Sequence, residues 1–157
     1  MSRRRQAGKR EIAPDPQFQS VLVTKFINMV MASGKRSIAQ GIVYGAFAKV
    51  SEKTQNPNVV EVFTKAVENI RPKLEVRSRR VGGANYQVPV EVAHERQVTM
   101  ALRWMIDYSA AKKGRPMKDS LAEEIVAASS GQGESVKKRD DTHKMAQANR
   151  AFAHYRW

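Results

Sequence analysis

Apolar residues recur at helical spacing along most of this chain, and the pattern is interrupted once. Phe18, Leu22, Phe26, Met29 and Val30 form a stripe that predicts a helix over 18–31, with Ser33-Gly34 as its stop. Ile38, Ile42, Val43, Phe47 and Val50 predict a second helix over about 35–53. Gly41 and Gly45, four apart on it, predict close packing against a neighbour. Asn56-Pro57 reads as an N-cap with proline at the first helical position. A third helix should follow, burying Val59, Val62, Phe63, Ala66, Val67 and Ile70 before Pro72 ends it. The period then falls to two: Leu74, Val76 and Ser78 alternate with Glu75, Arg77 and Arg79. After Gly82-Gly83-Ala84-Asn85 the run Tyr86, Val88, Val90 alternates again, which predicts a β-hairpin. Pro89 confines the return strand to an edge or an end. With no other strand to join, the hairpin should project.

Helical spacing resumes over 92–110, with Val98, Ala101, Leu102, Met105 and Tyr108 inward. A basic break, Lys112-Lys113-Gly114-Arg115-Pro116, separates it from a helix over 119–130 carrying Leu121, Ile125 and Val126. Ser135 then caps a last helix with Val136, Met145 and Ala148 inward. Residues 1–17 have no apolar period, and Pro14 and Pro16 flank Asp15, so they read as an arm ordered only when its charge is neutralised. The expected fold is mainly α: a single-domain bundle of about six helices with a projecting β-hairpin between the third and fourth. Its divisions are the arm 1–17, helices over 18–70, hairpin 73–91, helices over 92–150 and tail 151–157. No internal repeat or heptad run is present.

The charge separates from the core. The chain has 157 residues, 28 Lys+Arg and 15 Asp+Glu, a net +13. Segments 1–10, 71–80, 112–118, 137–144 and 145–157 carry +5, +4, +4, +2 and +2, so the remaining positions are slightly acidic, at −4. One cationic run is ordinarily a solvated face; several around an acidic body suggest a polyanionic partner, with nucleic acid first. There is no cysteine, which removes disulfides and thiolate metal sites and fits a reducing compartment. No apolar run approaches the roughly 18 residues of a membrane span, and no apolar stretch follows Arg3-Arg4-Arg5 as in a signal peptide. A cytoplasmic protein without a membrane partner is expected.

Catalytic patterns fail on inspection. His94-Glu95 begins like a zinc-protease motif, but Val98 stands where the second histidine is needed. His94, His143 and His154 have no ligand spacing and read as surface or packing residues. Gly34-Lys35 lacks the first glycine of a phosphate-binding loop, because residue 29 is Met29. The adjacent acids Glu123-Glu124 and Asp140-Asp141 should diverge on their helices. No enzyme, cofactor, metal or small-molecule substrate is expected. The hairpin is more informative. Arg77, Arg79 and Arg80 offer planar forks for phosphate, the glycines allow close backbone approach, and Tyr86 either stacks on a base or packs across the strands. At the end, His154-Tyr155-Arg156-Trp157 either binds a single strand or docks on the protein's own surface.

The run Val76-Arg77-Ser78-Arg79-Arg80-Val81-Gly82-Gly83-Ala84-Asn85-Tyr86-Gln87-Val88-Pro89 resembles the hairpin signature of the bacterial-type family of small-subunit ribosomal protein seven. Ser20 through Ala46 resembles a second signature: Leu22, Phe26-Ile27, Gly34-Lys35-Arg36 after a six-residue gap, and Ile42-Val43 after five more. The ending Ala151 to Trp157 is also similar, and residues 111–135 match only in helical pattern. The resemblance implies a primary 16S rRNA-binding protein that nucleates assembly of the small-subunit head. It implies a place at the subunit interface near the decoding centre, the exit-site tRNA and the mRNA, where it hinders exit-site tRNA release. Small-subunit ribosomal proteins nine and eleven are implied partners. Carried over by position, rRNA contacts fall on Arg3, Arg4, Arg5, Arg10, Lys35, Arg36, Arg77, Arg79 and Arg80, with Lys112, Lys113 and Arg115 added from the basic break. Val81, Gly82, Gly83, Ala84, Asn85 and Tyr86 face tRNA and mRNA. The competing readings are a free-standing, nucleoid-type DNA-binding protein using the ribbon as a groove-reading arm, and a nucleic-acid-processing enzyme.

Overall fold

The structure, a computed structural model, describes Gly8 and residues 10–155. Arg3, Arg4, Arg5 and the final Arg156-Trp157 lie outside the described residues. Among those described, the order is α1 (Val21–Val30), α2 (Arg36–Thr54), α3 (Val59–Ile70), β1 (Leu74–Val81), β2 (Ala84–Glu91), α4 (His94–Ala111), α5 (Met117–Ser129), α6 (Glu134–Ala148) and a 3₁₀ helix (Arg150–Tyr155). The fold is mainly α, one domain, with the two-stranded antiparallel ribbon between the third and fourth helices.

The core forms where the helical stripes converge. Phe26, Phe47 and Phe63, from α1, α2 and α3, are fully buried, and their rings meet at centroid distances of 4.9 Å for Phe26–Phe63 and 5.3 Å for Phe47–Phe63. Helix α5 packs against α2, α3, α4 and α6. Being enclosed on several sides, it buries small residues (Ser120, Ala122, Ala128) beside Leu121 and Ile125, because small side chains let neighbouring backbones approach.

Several expectations are corrected. Helix α1 begins at Val21, and Phe18 instead packs its ring edgewise on Phe47 and Tyr44 from a turn. Ile38 is on the outer side of α2, while Ala39 and Ala46 join Val43, Phe47 and Val50 inward. Gly45 packs against the Lys118 stem, where an added Cβ would meet Cδ at 3.4 Å; Gly41 faces open space. The cap of α3 is Asn58, whose side chain accepts the Glu61 N–H at 3.4 Å, and Asn56 accepts from the Asn58 N–H at 2.9 Å one step earlier. Tyr108 and Val126 are only half-buried. On α6 the buried positions are Ser135, Val136, Thr142 and Ala146, whereas Met145 and Ala148 are exposed. A slip of one residue in a 3.6 period changes which side of a helix faces in.

Ser135 is not the cap of α6; Gly133 is, with φ at 100°. A side chain there would be strained by φ and would also meet the Glu124 carboxylate, since an added Cβ falls 3.0 Å from Oε1. That carboxylate is buried at 2% exposure, and Oε1 accepts the Ser135 N–H at 2.9 Å. An acid on α5 thus satisfies an orphan donor in the first turn of α6, where the helix dipole favours negative charge.

The period-free stretch reads as an arm without a core through residue 17, yet Asp15 is fully buried. Its carboxylate accepts the Gln17 and Phe18 N–H groups, both at 3.1 Å, and the Tyr44 hydroxyl at 2.8 Å. Packing against the folded body therefore reaches back at least to Asp15. Burial first, and then the bond to Asp15, raises the Tyr44 hydroxyl above its ordinary 10.0.

Candidate nucleic-acid interface

The ribbon register pairs Leu74 with Glu91 through Val81 with Ala84, leaving Gly82-Gly83 as a two-residue turn. Both turn glycines have positive φ (57° and 91°), as the tight hairpin turn whose twist suits the strands requires. Ala84 and Asn85, expected in the turn, are strand residues. Opposed residues share a face, so Arg77 (opposite Val88) and Arg79 (opposite Tyr86) lie on one face and Arg80 (opposite Asn85) on the other.

The base of the ribbon is anchored and its tip is not. Val88 is fully buried and Glu75 is 6% exposed, while Gly82, Gly83, Ala84 and Asn85 are all exposed. Arg77 and Arg96 both bind the Glu75 carboxylate, at 2.6 Å and 2.9 Å. Burial alone would raise the Glu75 pKa, but the hydrogen bonds from Arg96 and Arg77 outweigh it and hold the carboxyl below its ordinary value. Alternation assigns Glu75 to the outer face; its two guanidinium partners offset the cost of burying it.

Tyr86 and the tail settle on each other. The Tyr86 ring lies 5.3 Å from Phe152 and 5.0 Å from Tyr155, and Arg79 donates to the Tyr155 carbonyl. Tyr86 thus packs on the described part of the tail, while Arg156 and Trp157 of the same motif lie outside the described residues. His143 accepts the Lys73 N–H at 3.0 Å beneath the ribbon's base; burial and then Arg139 lower its pKa.

The cations divide by what neutralises them. Lys112 Nζ lies 3.7 Å from carboxylate oxygens of both Glu123 and Glu124, so these adjacent acids converge on one lysine rather than diverge. Arg115 binds Glu123 through both oxygens, at 2.8 and 3.0 Å. In the basic break Lys113 remains exposed without an ion pair among the described residues. The same holds for Lys35 and Arg36 at the start of α2, for Arg80 on the ribbon and for Arg10. Lys35 and Arg36 stand at a helix N-terminus, where the dipole adds to their positive potential and is uncompensated by any acid in the first turn. Lys25, which belongs to no basic run, is a further exposed cation on α1. Its signal is nonetheless present in the chain: Val21, Lys25 and Asn28 recur at i, i+4 and i+7, on the side of α1 away from the apolar stripe.

A helical core with unneutralised cations on separate loops and a ribbon, and an acidic remainder, defines a polyanion-binding protein of the nucleic-acid class. The comparisons narrow the class. Residues 2–150 match the family described as ribosomal protein S7p/S5e, and the chain belongs to that family. It is 61% identical over 155 residues to the small ribosomal subunit protein uS7 of Thermotoga maritima, covering 99% of each chain. It is 58% identical over 157 residues to the uS7 of Francisella tularensis subsp. holarctica, covering all of both. The chain is thus a small-subunit ribosomal protein, an RNA-binding component of cytoplasmic translation and not an enzyme.

Proposed function

We propose that this chain is a primary binder of 16S rRNA that nucleates assembly of the small-subunit head. The observation that carries the reading is the set of exposed, unneutralised cations on three separate elements: Lys35-Arg36 before α2, Arg80 on the ribbon and Lys113 in the basic break. Such a spread suits a folded RNA surface better than one groove of a straight duplex. Arg3, Arg4, Arg5 and Arg10 extend the same contact through the arm, with Arg77 and Arg79 secondary because each already serves a protein acceptor. Lys112 and Arg115 are secondary for the same reason.

The ribbon tip, Val81 to Asn85, faces the exit-site tRNA and the mRNA at the subunit interface near the decoding centre and hinders tRNA release; ribosomal proteins nine and eleven are neighbours. Its bare Gly82-Gly83 turn, with nothing packed over it, supports contact with a partner's backbone. Tyr86 is a brace for the tail in this reading.

The test is competition at fixed salt between the head-domain rRNA and duplex DNA of equal length, with co-sedimentation of the protein on small subunits through a high-salt wash. Preference for rRNA and retention through the wash are expected; equal affinity for DNA and loss in the wash would favour the nucleoid-type reading. For the tip, replacing 82–85 should speed exit-site tRNA release from reconstituted ribosomes with head assembly intact. Unaltered release removes the gating role.

A further inference from the structure

A groove of about 510 Å³ runs between α1 and α4. Val21, Lys25 and Asn28 line it from α1 at i, i+4 and i+7, and Glu95, Val98, Thr99 and Leu102 from α4 at i, i+3, i+4 and i+7, so each set lies on one side of its helix. Ile12 closes one side. Of the four large apolar residues exposed among the described residues, two, Ile12 at 37% and Val21 at 42%, are in this groove. The floor is therefore aliphatic and open to solvent, and its size falls in the ordinary range of small-molecule pockets.

The rim is polar, and its polarity is specific. Arg10 and Lys25 are exposed cations at the edge; Glu95 stands on the α4 side and leaves the rim net positive. The Asn28 amide makes no hydrogen bond among the described residues and offers two donors and an acceptor. The Thr99 hydroxyl donates to the Glu95 carbonyl at 2.9 Å, which leaves its oxygen free to accept. An apolar side chain from a protein partner would use the floor and waste the cations. A base-paired RNA helix would use the cations and leave the floor wet. A nucleotide with its base unstacked uses both: flat apolar faces against Val21, Ile12 and Val98, its hydrogen-bonding edge toward Asn28 and Thr99, and its phosphates at Arg10 and Lys25.

We propose that the groove between α1 and α4 holds a single unpaired nucleobase of the rRNA, adding base recognition to the phosphate contacts of the turn, the ribbon and the arm, whose Arg10 stands at the groove's rim. This rests on the rRNA reading above. The test compares the full-length protein with Thr99→Tyr, which fills the groove from an exposed helical position, and Asn28→Ala, which removes the polar group facing the base edge without adding volume. Each is titrated with head-domain rRNA across a salt series, with chemical modification of base edges in the bound state. Thermal unfolding at the wild-type temperature certifies the fold of each.

The wild-type protein should shield at least one unpaired base. Thr99→Tyr should weaken binding about ten-fold and return that base to full reactivity, with the slope of affinity against salt unchanged because only the base leaves the groove while its phosphates stay at the rim cations Arg10 and Lys25. Asn28→Ala should weaken binding less, and expose the same base. The proposal falls if both variants bind and shield as the wild type does, or if their weaker binding comes with a shallower salt slope. It also falls if Thr99→Tyr leaves rRNA binding intact but blocks uptake of another ribosomal protein into the subunit. No rRNA affinity in the wild-type protein would instead overturn the function on which the proposal rests.

Discussion

Replacing Asp15 by alanine should destabilise the whole domain, although the residue stands in a stretch that reads as an unstructured basic arm. The carboxylate is fully buried and accepts three hydrogen bonds, from the Gln17 and Phe18 N–H groups and the Tyr44 hydroxyl. A hydrogen bond to a charged group contributes about 1.5–3 kcal/mol, and a buried donor left unmet costs a similar amount. Gln17 is exposed, so its N–H can turn to water, while Phe18 and Tyr44 are half-buried and recover less. Discounting accordingly, Asp15→Ala should cost about 3 kcal/mol. For a domain of this size that is a fall in Tm of roughly 6–12 °C. Asp15→Asn keeps an oxygen toward Tyr44 without the charge and should lose about half as much. Thermal unfolding followed by circular dichroism measures both. A second readout is specific to this bond: the Tyr44 hydroxyl, raised by burial and by Asp15, should titrate lower in the alanine variant than in the wild type. An Asp15→Ala protein melting within about 1 °C of wild type would show that the three bonds are replaced by water at no cost, and would refute the reasoning.

Tyr86→Ala removes the ring that packs on Phe152 and Tyr155, so hydrogen exchange should rise over 150–155 and stay unchanged at Phe26, Phe47 and Phe63; faster exchange in the core would place the tail in the main cooperative unit. Glu75 has a lowered carboxyl pKa in the folded protein, so the stability it contributes is complete above its ordinary 4.5 and lost as pH falls through the folded value. Glu75→Gln should therefore flatten the acid limb of Tm against pH, and an unchanged limb would mean that Arg96 and Arg77 do not favour the charged form. Deleting residues 1–10 removes five cations and should make the dependence of log affinity on log salt shallower. The expected change is roughly 0.7–0.9 for each phosphate the arm neutralises. An unchanged slope would show that the arm does not touch phosphate.

The parts of the site that the chain places by itself are those carried by local rules. The ribbon follows from alternation about a Gly-Gly turn, and Lys35-Arg36 from their position after a helix stop. The parts that local rules misplace depend on partners distant in sequence. Glu75 reads as an outward acid because alternation assigns faces but not which face is covered. Asp15 reads as part of a coreless arm because Tyr44, its hydrogen-bond partner, is 29 positions away. Lys112 and Arg115 read as free cations because Glu123 and Glu124 reach them only when α5 folds back.

Helical and strand periods are properties of neighbouring residues, so the chain by itself determined six α-helices, one hairpin between the third and fourth, and the separation of basic segments from a mildly acidic body. It also carried, in the ribbon and in residues 20–46, the motifs of its family. Charge compensation is a property of distances in space, and no period encodes it. The tertiary structure decided which of these cations the protein itself neutralises: Arg77, Lys112 and Arg115 are met by its own carboxylates and Arg79 donates to the Tyr155 carbonyl, whereas Lys35, Arg36, Arg80 and Lys113 have no ion pair among the described residues. It likewise decided that Tyr86 braces the tail and that α1 and α4 leave an aliphatic groove between them, because each requires elements distant in sequence, β2 with the 3₁₀ helix and α1 with α4, to meet in space.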